Sequence, residues 1–283
     1  MKTILVSIIV FIFISLYYDL SCQELNIKTN PVSPDTTIIK KQVRIRMVTR
    51  NAPDVTFELS GMYDYGVYEL SGNDNGDLNP EQFVKGENFG VRHGLGTMMT
   101  AKIPLHKKGN LRADISLAYN RFSSNYNKPM MDVTGYDFVK YNVYSAIAGI
   151  ENNFTPKYRI KTFVGIGVIA SVISGDAQIT DSTGTGMLTI KPGFRLGISI
   201  NSGLEYMISN SLGFNCGIRF THANIWLKQS KTSDNPEEIN LNDKKVSPWI
   251  PYSGFKQFAW GSFFAGFNYY FGIQETEYTF PRR

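Results

Sequence analysis

The chain has 283 residues, which is enough for one large domain or two small ones. Its 29 Lys and Arg against 24 Asp and Glu give a net charge of +5, and both signs are spread along the chain, which gives little support for a nucleic-acid partner. With only 2 Cys and 3 His, against 16 Tyr, 19 Phe and 25 Gly, the composition disfavours a disulfide framework and a histidine-rich metal site.

The first 22 residues have the features of a secretory signal peptide. Lys2 precedes an apolar run from Ile4 to Tyr18, which is shorter than the about 20 apolar residues of a spanning helix. We therefore expect cleavage after Cys22, which leaves Cys216 as the one remaining thiol. A lipoprotein that begins at Cys22 is the alternative, although Asp19 stands where its processing motif has an apolar residue.

Residues 23–54 precede a repeating pattern and are expected to form a separate periplasmic segment. Within them, the stretch 38–48 (IIKKQVRIRMV) alternates in polarity from Gln42 to Met47. This stretch is open to three interpretations: an extra strand, a periplasmic arm, or a plug in the lumen of the domain that follows.

From residue 55 onward, apolar and polar side chains alternate in one segment after another. In the segment 194–208, for example, Phe194, Leu196 and Ile198 alternate with Arg195, Gly197 and Ser199. Strict alternation over such lengths predicts strands with one apolar face. The pattern predicts eight strands, at residues 55–66, 91–105, 111–119, 136–151, 160–174, 194–208, 212–220 and 258–273. The phase of the alternation slips near Ser145, which indicates a bulge.

The connections between these segments alternate between long and short. The long ones are residues 67–88, 122–135, 175–189 and 228–256, and the short ones are residues 106–110, 152–159 and 209–211. Long loops on one side and short turns on the other are typical of a transmembrane barrel. Such a barrel must close on itself, because no water is present in the bilayer to bond an open sheet edge.

The sequence therefore predicts an all-β protein, a transmembrane antiparallel up-and-down β-barrel. Residues 55–273 form the barrel, most simply with eight strands, and residues 274–283 form a periplasmic C-terminal tail. A ten-stranded barrel that recruits 38–48 and 274–280 is the alternative.

The face of each strand opposite to the lipid lines the lumen, which in an eight-stranded barrel has room only for side chains. The charged residues on that face include both signs in similar numbers, so we predict a charge-paired, filled interior and no wide aqueous channel. They are Glu58, Asp64, Arg92, Lys102, Arg112, Asp114, Glu151, Lys161, Arg195, Glu205 and Arg219.

The last strand carries the motif Gly-x-x-aromatic-x-aromatic at Gly266, Tyr269 and Phe271. With the eight-strand pattern over about residues 55–273, the chain resembles small bacterial outer-membrane barrels of the OmpA/OmpX type, which carry such an assembly signal. Two departures are Phe264, where a polar residue is usual, and the residues that continue past the signal. The resemblance implies insertion into the outer membrane by the barrel-assembly machinery, with outer-membrane lipid and lipopolysaccharide as neighbours.

One segment resembles the outer-membrane lipid A deacylases of the PagL type. Arg219 and His222 have the spacing of that family, but Asn224 stands where the family has its nucleophilic Ser, and Glu237 and Glu238 lie only near the position of its acid. Without a hydroxyl or thiol nucleophile, acyl transfer is not expected. We predict that the protein is not an enzyme and that it uses no metal or cofactor.

Three functions are compatible with this barrel. The first is a structural or interaction role, in which long extracellular loops present a surface to a partner. The second is transport of small hydrophobic molecules through a lateral opening, with SPWIPYSG (247–254) as a cap. The third, and weakest, is the deacylase. Trp226, Trp249 and Trp260 are expected in the interfacial aromatic belt.

Overall fold

The computed structural model describes residues 44–71, 89–130, 133–181, 184–229, 235, 237–241, 243–244 and 256–281. The signal peptide and most of the 23–54 segment therefore lie outside the described residues. Residues 46–279 belong to one compact unit. No helix in the described part of the chain is long and apolar enough to cross a bilayer.

The described secondary structure consists of strands and one short 3-10 turn at Tyr68–Leu70. The strands are β1 (Arg44–Arg50), β2 (Val55–Val67), β3 (His93–Pro104), β4 (Leu111–Met130), β5 (Val133–Asn153), β6 (Ile160–Asp181), β7 (Gly184–Met207), β8 (Leu212–Trp226), β9 (Glu238–Ile239), β10 (Ala259–Phe271) and β11 (Glu275–Pro281).

Eight of these strands close into a ring. The order is β2, β3, β4, β5, β6, β7, β8 and β10, and β10 pairs with β2 from Ala259 opposite Val67 to Phe271 opposite Val55. Every neighbouring pair in the ring is antiparallel. The predicted all-β eight-stranded barrel is thus confirmed. The ten-stranded alternative is wrong, because β1 and β11 pair with each other in a separate two-stranded sheet.

The outer face of the ring is apolar over a band of limited height. On β2, Phe57, Leu59 and Tyr63 are 45–59% exposed, whereas the intervening Glu58 and Ser60 are buried. On β4 the outward apolar residues run from Leu111 to Tyr119, which matches the about 9–11 residues that a tilted strand needs to cross a bilayer. Exposed aromatic residues border the band at both ends, as in membrane barrels. They are Phe57, Phe154, Tyr158, Tyr206, Phe214, Tyr269 and Phe271 at the short-turn end, and Tyr63, Tyr65, Tyr144, Phe194, Phe220 and Trp226 at the other.

Strands β4 to β7 continue beyond this band as two long hairpins. Met130 opposes Val133, and Asp181 opposes Gly184. The predicted long loops 122–135 and 175–189 are therefore mostly strand, and only residues 131–132 and 182–183 between them lie outside the described residues.

The polarity of the two faces reverses along these hairpins. Beyond Tyr119, the outward residues of β4 are Arg121, Ser123 and Asn125, while Phe122 points inward and is buried. The outer face contacts lipid below this level and water above it. The apolar residues therefore occupy the outward positions below and the inward positions above, and the strand register does not change.

The predicted bulge at Ser145 is wrong, and the reversal of polarity explains the slip in the alternation there. The pairing of β5 is continuous with β4 from Val133 to Asn152 and with β6 from Phe138 to Asn153. The slip in the sequence marks the membrane boundary. The inward residues Tyr141 and Val143 are apolar before it, and the outward residues Tyr144, Ala146, Ala148 and Ile150 are apolar after it. The register irregularities instead flank β7, at Ile173/Gly175 on β6 and Leu196/Ile198 on β7.

The effect of a charged substitution in the outer band should show whether lipid or water surrounds the band. In water, Leu117→Arg would cost little, because Leu117 is 64% exposed. In lipid, we expect it to lower the free energy of unfolding by about 2–4 kcal/mol. The measurement is urea unfolding in lipid vesicles, with the exposed Asn125→Arg on the same strand as a control that should change little. Equal effects of the two substitutions would contradict the assignment of the band to lipid.

Candidate functional site: the filled barrel interior

Most of the charged side chains of the interior gather near the short-turn end of the barrel. Five of them form a buried charge cluster because their strands begin or end at this level: Glu58 (β2), Lys102 (β3), Arg112 (β4), Glu151 (β5) and Glu205 (β7). Each is at most 4% exposed, so their charges must be balanced by one another.

Lys102 is the centre of this charge cluster. Its Nζ lies 2.9 Å from Glu58 Oε2, 3.2 Å from Glu151 Oε2 and 3.1 Å from Glu205 Oε1. Three carboxylates around one ammonium would leave excess negative charge. A second cation is therefore needed nearby.

Arg112 supplies that second cation. Its guanidinium donates to both carboxylate oxygens of Glu205, at 2.6 Å to Oε1 and 3.3 Å to Oε2, and also to Glu151. Two donors on one carboxylate fix orientation as well as charge. Glu205 thereby becomes the carboxylate that Lys102 and Arg112 share.

Three further charges lie close to the charge cluster. Asp114 has Glu151, Lys102, Arg219 and Arg112 as electrostatic neighbours. The Nζ of Lys161 lies 4.2 Å from the ring centre of Tyr270, and Arg219 donates to Met98 Sδ at 2.6 Å. With these residues the layer holds four carboxylates and four cations, so it is neutral as a whole.

Above this layer, smaller polar groups and a few apolar side chains fill the barrel. Asp64 accepts hydrogen bonds from Ser262 Oγ at 2.5 Å and Asn120 Nδ2 at 2.7 Å. Phe264, where the family pattern has a polar residue, is buried and stacks on Phe163 with 6.4 Å between ring centroids. It therefore fills the lumen rather than contacting lipid.

At the hairpin end the interior is mainly apolar. Trp260 lies at its centre with 2% exposure, and its ring centroid is 5.4 Å from that of Phe122 and 6.0 Å from that of Phe258. The predicted place of Trp260 in the interfacial belt is wrong, because it shares a strand face with Ser262 and Phe264 and so points inward. Trp226 is exposed, as a belt residue would be, and Trp249 lies outside the described residues.

A segment of the β8–β10 connection reaches into this end of the barrel. Asp243 is fully buried there and accepts hydrogen bonds from Arg195 on β7, at 2.7 Å from Nε and 3.0 Å from a terminal nitrogen. Asn224 on β8 donates to Asp243 Oδ2 and to the Lys256 carbonyl, both at 2.9 Å. We name Arg195, Asn224 and Asp243 the mouth latch, since they attach the connection to two barrel strands.

The predicted lumen residues therefore lie in different parts of the barrel. Glu58, Lys102, Arg112, Asp114, Glu151, Lys161, Glu205 and Arg219 meet near the short-turn end, and Asp64 lies above them with Ser262 and Asn120. Arg195 belongs to the mouth latch instead, and Arg92 is half-buried just before β3. Asp243 was missed because it follows no periodic pattern.

The residues of the deacylase resemblance have other partners. The amide of Asn224 is fully used, since its Oδ1 also accepts from the Phe258 N–H at 2.7 Å. Arg219 points to Met98 in the lumen, and Glu238 pairs with Lys191 at 2.5 Å. Among the described residues, no group of three or more His, Cys, Asp or Glu is placed to hold a metal ion.

The residues of the assembly signal lie at the closing seam. Gly266 faces inward against β2, where an added Cβ would lie 2.1 Å from the Leu59 carbonyl oxygen. Tyr269 and Phe271 face outward in the aromatic border. Their recognition by the barrel-assembly machinery stays a prediction.

No protein-family model matches the chain, and no curated protein matches it. Among solved structures, Neisserial surface protein A (NspA) is similar at 13% identity and a TM-score of 0.42, over 78% of this chain and 99% of that one. Ail, the attachment invasion locus protein of Yersinia pestis, has 8% identity and a TM-score of 0.37, over 80% and 100%. The N-terminal β-barrel domain of Pseudomonas aeruginosa OprF has 11% identity and a TM-score of 0.31, over 77% and 98%.

The barrel itself defines the class of this protein. A closed eight-stranded ring with an apolar outer band, aromatic borders and a charge-paired interior is a transmembrane β-barrel. This confirms the class of barrel that the sequence predicts, and an even-stranded barrel of this size is typical of bacterial outer membranes.

The charge cluster should depend on its shared carboxylate. Glu205→Gln leaves Lys102 and Arg112 buried with too little negative charge, so we expect a loss of about 3–5 kcal/mol in the free energy of unfolding. Urea unfolding in lipid vesicles measures it. The same substitution in the partly exposed Lys191–Glu238 pair, Glu238→Gln, is the control and should cost about 0–1 kcal/mol. A loss no larger than that of the control would show that the cluster is not a stabilising unit.

The mouth latch should hold the β8–β10 connection against proteolysis. Asp243→Ala leaves Arg195 buried without its carboxylate, so we expect protease to cut residues 227–258 at least about tenfold faster while the barrel stays closed. Limited proteolysis followed by mass spectrometry measures this rate. Glu237→Ala, an exposed residue of the same connection, should leave the rate unchanged.

Proposed function

We propose that the protein is a non-conducting outer-membrane barrel that acts through the surface its hairpins present outside the membrane, in a structural or interaction role. The observation that carries this proposal is that the interior is filled at both ends while β4 to β7 continue past the lipid band. A filled lumen leaves the outer surface as the part of the molecule available to a partner.

Two barriers in series support the closed state. The charge cluster occupies the short-turn end, and the apolar side chains around Trp260 occupy the other. An ion entering from the hairpin side meets an apolar layer that cannot replace its hydration. An ion entering from the short-turn side meets a layer of closely packed side chains that holds equal numbers of cations and carboxylates.

The hairpin surface has the chemistry of a polar recognition surface. The outward side chains Arg121, Ser123 and Asn125 stand on a regular strand beyond the aromatic border. They are held by strand pairing rather than by a flexible loop, so little ordering entropy is lost when a partner binds. Lipopolysaccharide sugars or a protein of the cell surface or envelope would suit such a surface.

Lateral transport of small hydrophobic molecules is supported less well. A lateral opening is easiest where strand pairing is irregular, which in this barrel is beside β7. Gly197 lies there in direct contact with β8, because an added Cβ would be 1.8 Å from the His222 carbonyl oxygen. The apolar interior behind it is occupied by the chain's own aromatic rings, spaced 5.0–6.1 Å apart.

Two measurements test the proposal. Purified protein in planar bilayers should give no steady conductance, because both ends of the lumen are filled.

An epitope inserted between Met130 and Val133 should bind antibody on intact cells, whereas the same epitope in the turn at Lys107–Lys108 should bind only after the outer membrane is permeabilised. Stepwise single-channel currents, or the opposite labelling pattern, would overturn the proposal.

A further inference from the structure

The closing seam of the barrel continues beyond the lipid band as a paired ribbon. Below the pair Val55 and Phe271, the Asp54 N–H donates to the Phe271 carbonyl at 2.9 Å, and the Asn51 N–H donates to the Gln274 carbonyl at 3.3 Å. Residue numbers rise on one side as they fall on the other, so the segments run antiparallel. Strands β1 and β11 then pair with each other.

Side chains reinforce the junction between the barrel and this ribbon. The Asn51 amide donates to the Gly272 carbonyl at 2.8 Å, and its oxygen accepts from the Gln274 N–H at 2.6 Å. Arg50 Nε donates to Glu275 Oε1 at 2.5 Å, and this bond holds the pKa of the Glu275 carboxyl below its usual range. One asparagine thus binds both sides of the chain turn at Gly272.

Gly272 itself is required by the geometry of this junction. Its φ is +77°, a conformation that side chains disfavour, and an added Cβ would lie 2.0 Å from Asp54 Oδ2. The chain turns here from the last barrel strand into β11. The junction is therefore a built structural element and not merely a continuation of the strand.

We propose that this element, which we call the terminal clasp (β1, Asn51, Gly272 and β11), brings the two ends of the barrel together and sets the register in which β10 closes onto β2. Strands β2 and β10 are the most distant neighbours in sequence, so their seam carries the largest loop-closure entropy in the barrel. The clasp lies outside the apolar band and can pair in water before the seam enters lipid. Once the clasp has formed, closing the seam is a local event.

The rate of barrel closure tests this proposal. The chain from Gln23 onward is refolded from urea into lipid vesicles, and the closed fraction is followed by its altered gel mobility without heating. We expect Asn51→Ala and the double variant Arg50→Ala/Glu275→Ala each to slow closure about three- to tenfold, because they remove hydrogen bonds made before the seam forms. The control is Asn152→Ala, which removes an exposed asparagine at the same end of the barrel but away from the seam and should close at the wild-type rate.

A covalent form of the clasp supplies the converse test. In a Cys216→Ser background, Arg50→Cys/Glu275→Cys should form a disulfide that restores closure to at least the wild-type rate, and reduction should return it to the slow rate of the double alanine variant. The proposal is overturned if the alanine variants close at the wild-type rate, or if they only speed opening of the closed barrel. In the second case the clasp would act after closure and would not guide it.

Discussion

The structure depends on one constraint: a strand in lipid cannot leave its backbone N–H and C=O groups unpaired. The ring meets it through eight antiparallel seams, of which the β2–β10 seam is the one that closes the sheet. Closure then dictates the chemistry of both faces. The outer face must be apolar, and whatever polar groups the inner face carries must find their partners within the narrow lumen, as Lys102 and Arg112 do with Glu58, Glu151 and Glu205.

Period-two alternation was sufficient to predict the barrel and its eight strands, because the environment on each side of a strand is uniform within the bilayer. It failed where the environment changes. On β5 the apolar positions move from Val143 to Tyr144 at the membrane boundary, and the resulting slip was mistaken for a bulge. Residues 122–135 and 175–189 were predicted as loops for the same reason. The outward residues of those hairpins are polar, so the pattern expected of a strand in lipid is interrupted there.

The interior was predictable to a similar extent. Strand parity places Glu205 and Arg112 on the inner face, and the structure buries them there. Trp260 was predicted in the interfacial belt from its residue type, but its position on the strand, in phase with Ser262 and Phe264, places it in the interior. Asp243 could not be found in this way, because it lies in an aperiodic connection whose path is set by the buried Arg195 and Asn224 that it meets.

The hairpins have a consequence for distance. From Tyr119 to Met130 the strand β4 advances about 35 Å at roughly 3.3 Å per residue, and with a tilt of about 40° its tip stands on the order of 25–30 Å above the bilayer. A stiff support of that height holds its tip well clear of the bilayer surface. A bulky molecule could therefore contact the tip of the hairpin, although steric hindrance would keep the same molecule from contacting the bilayer surface.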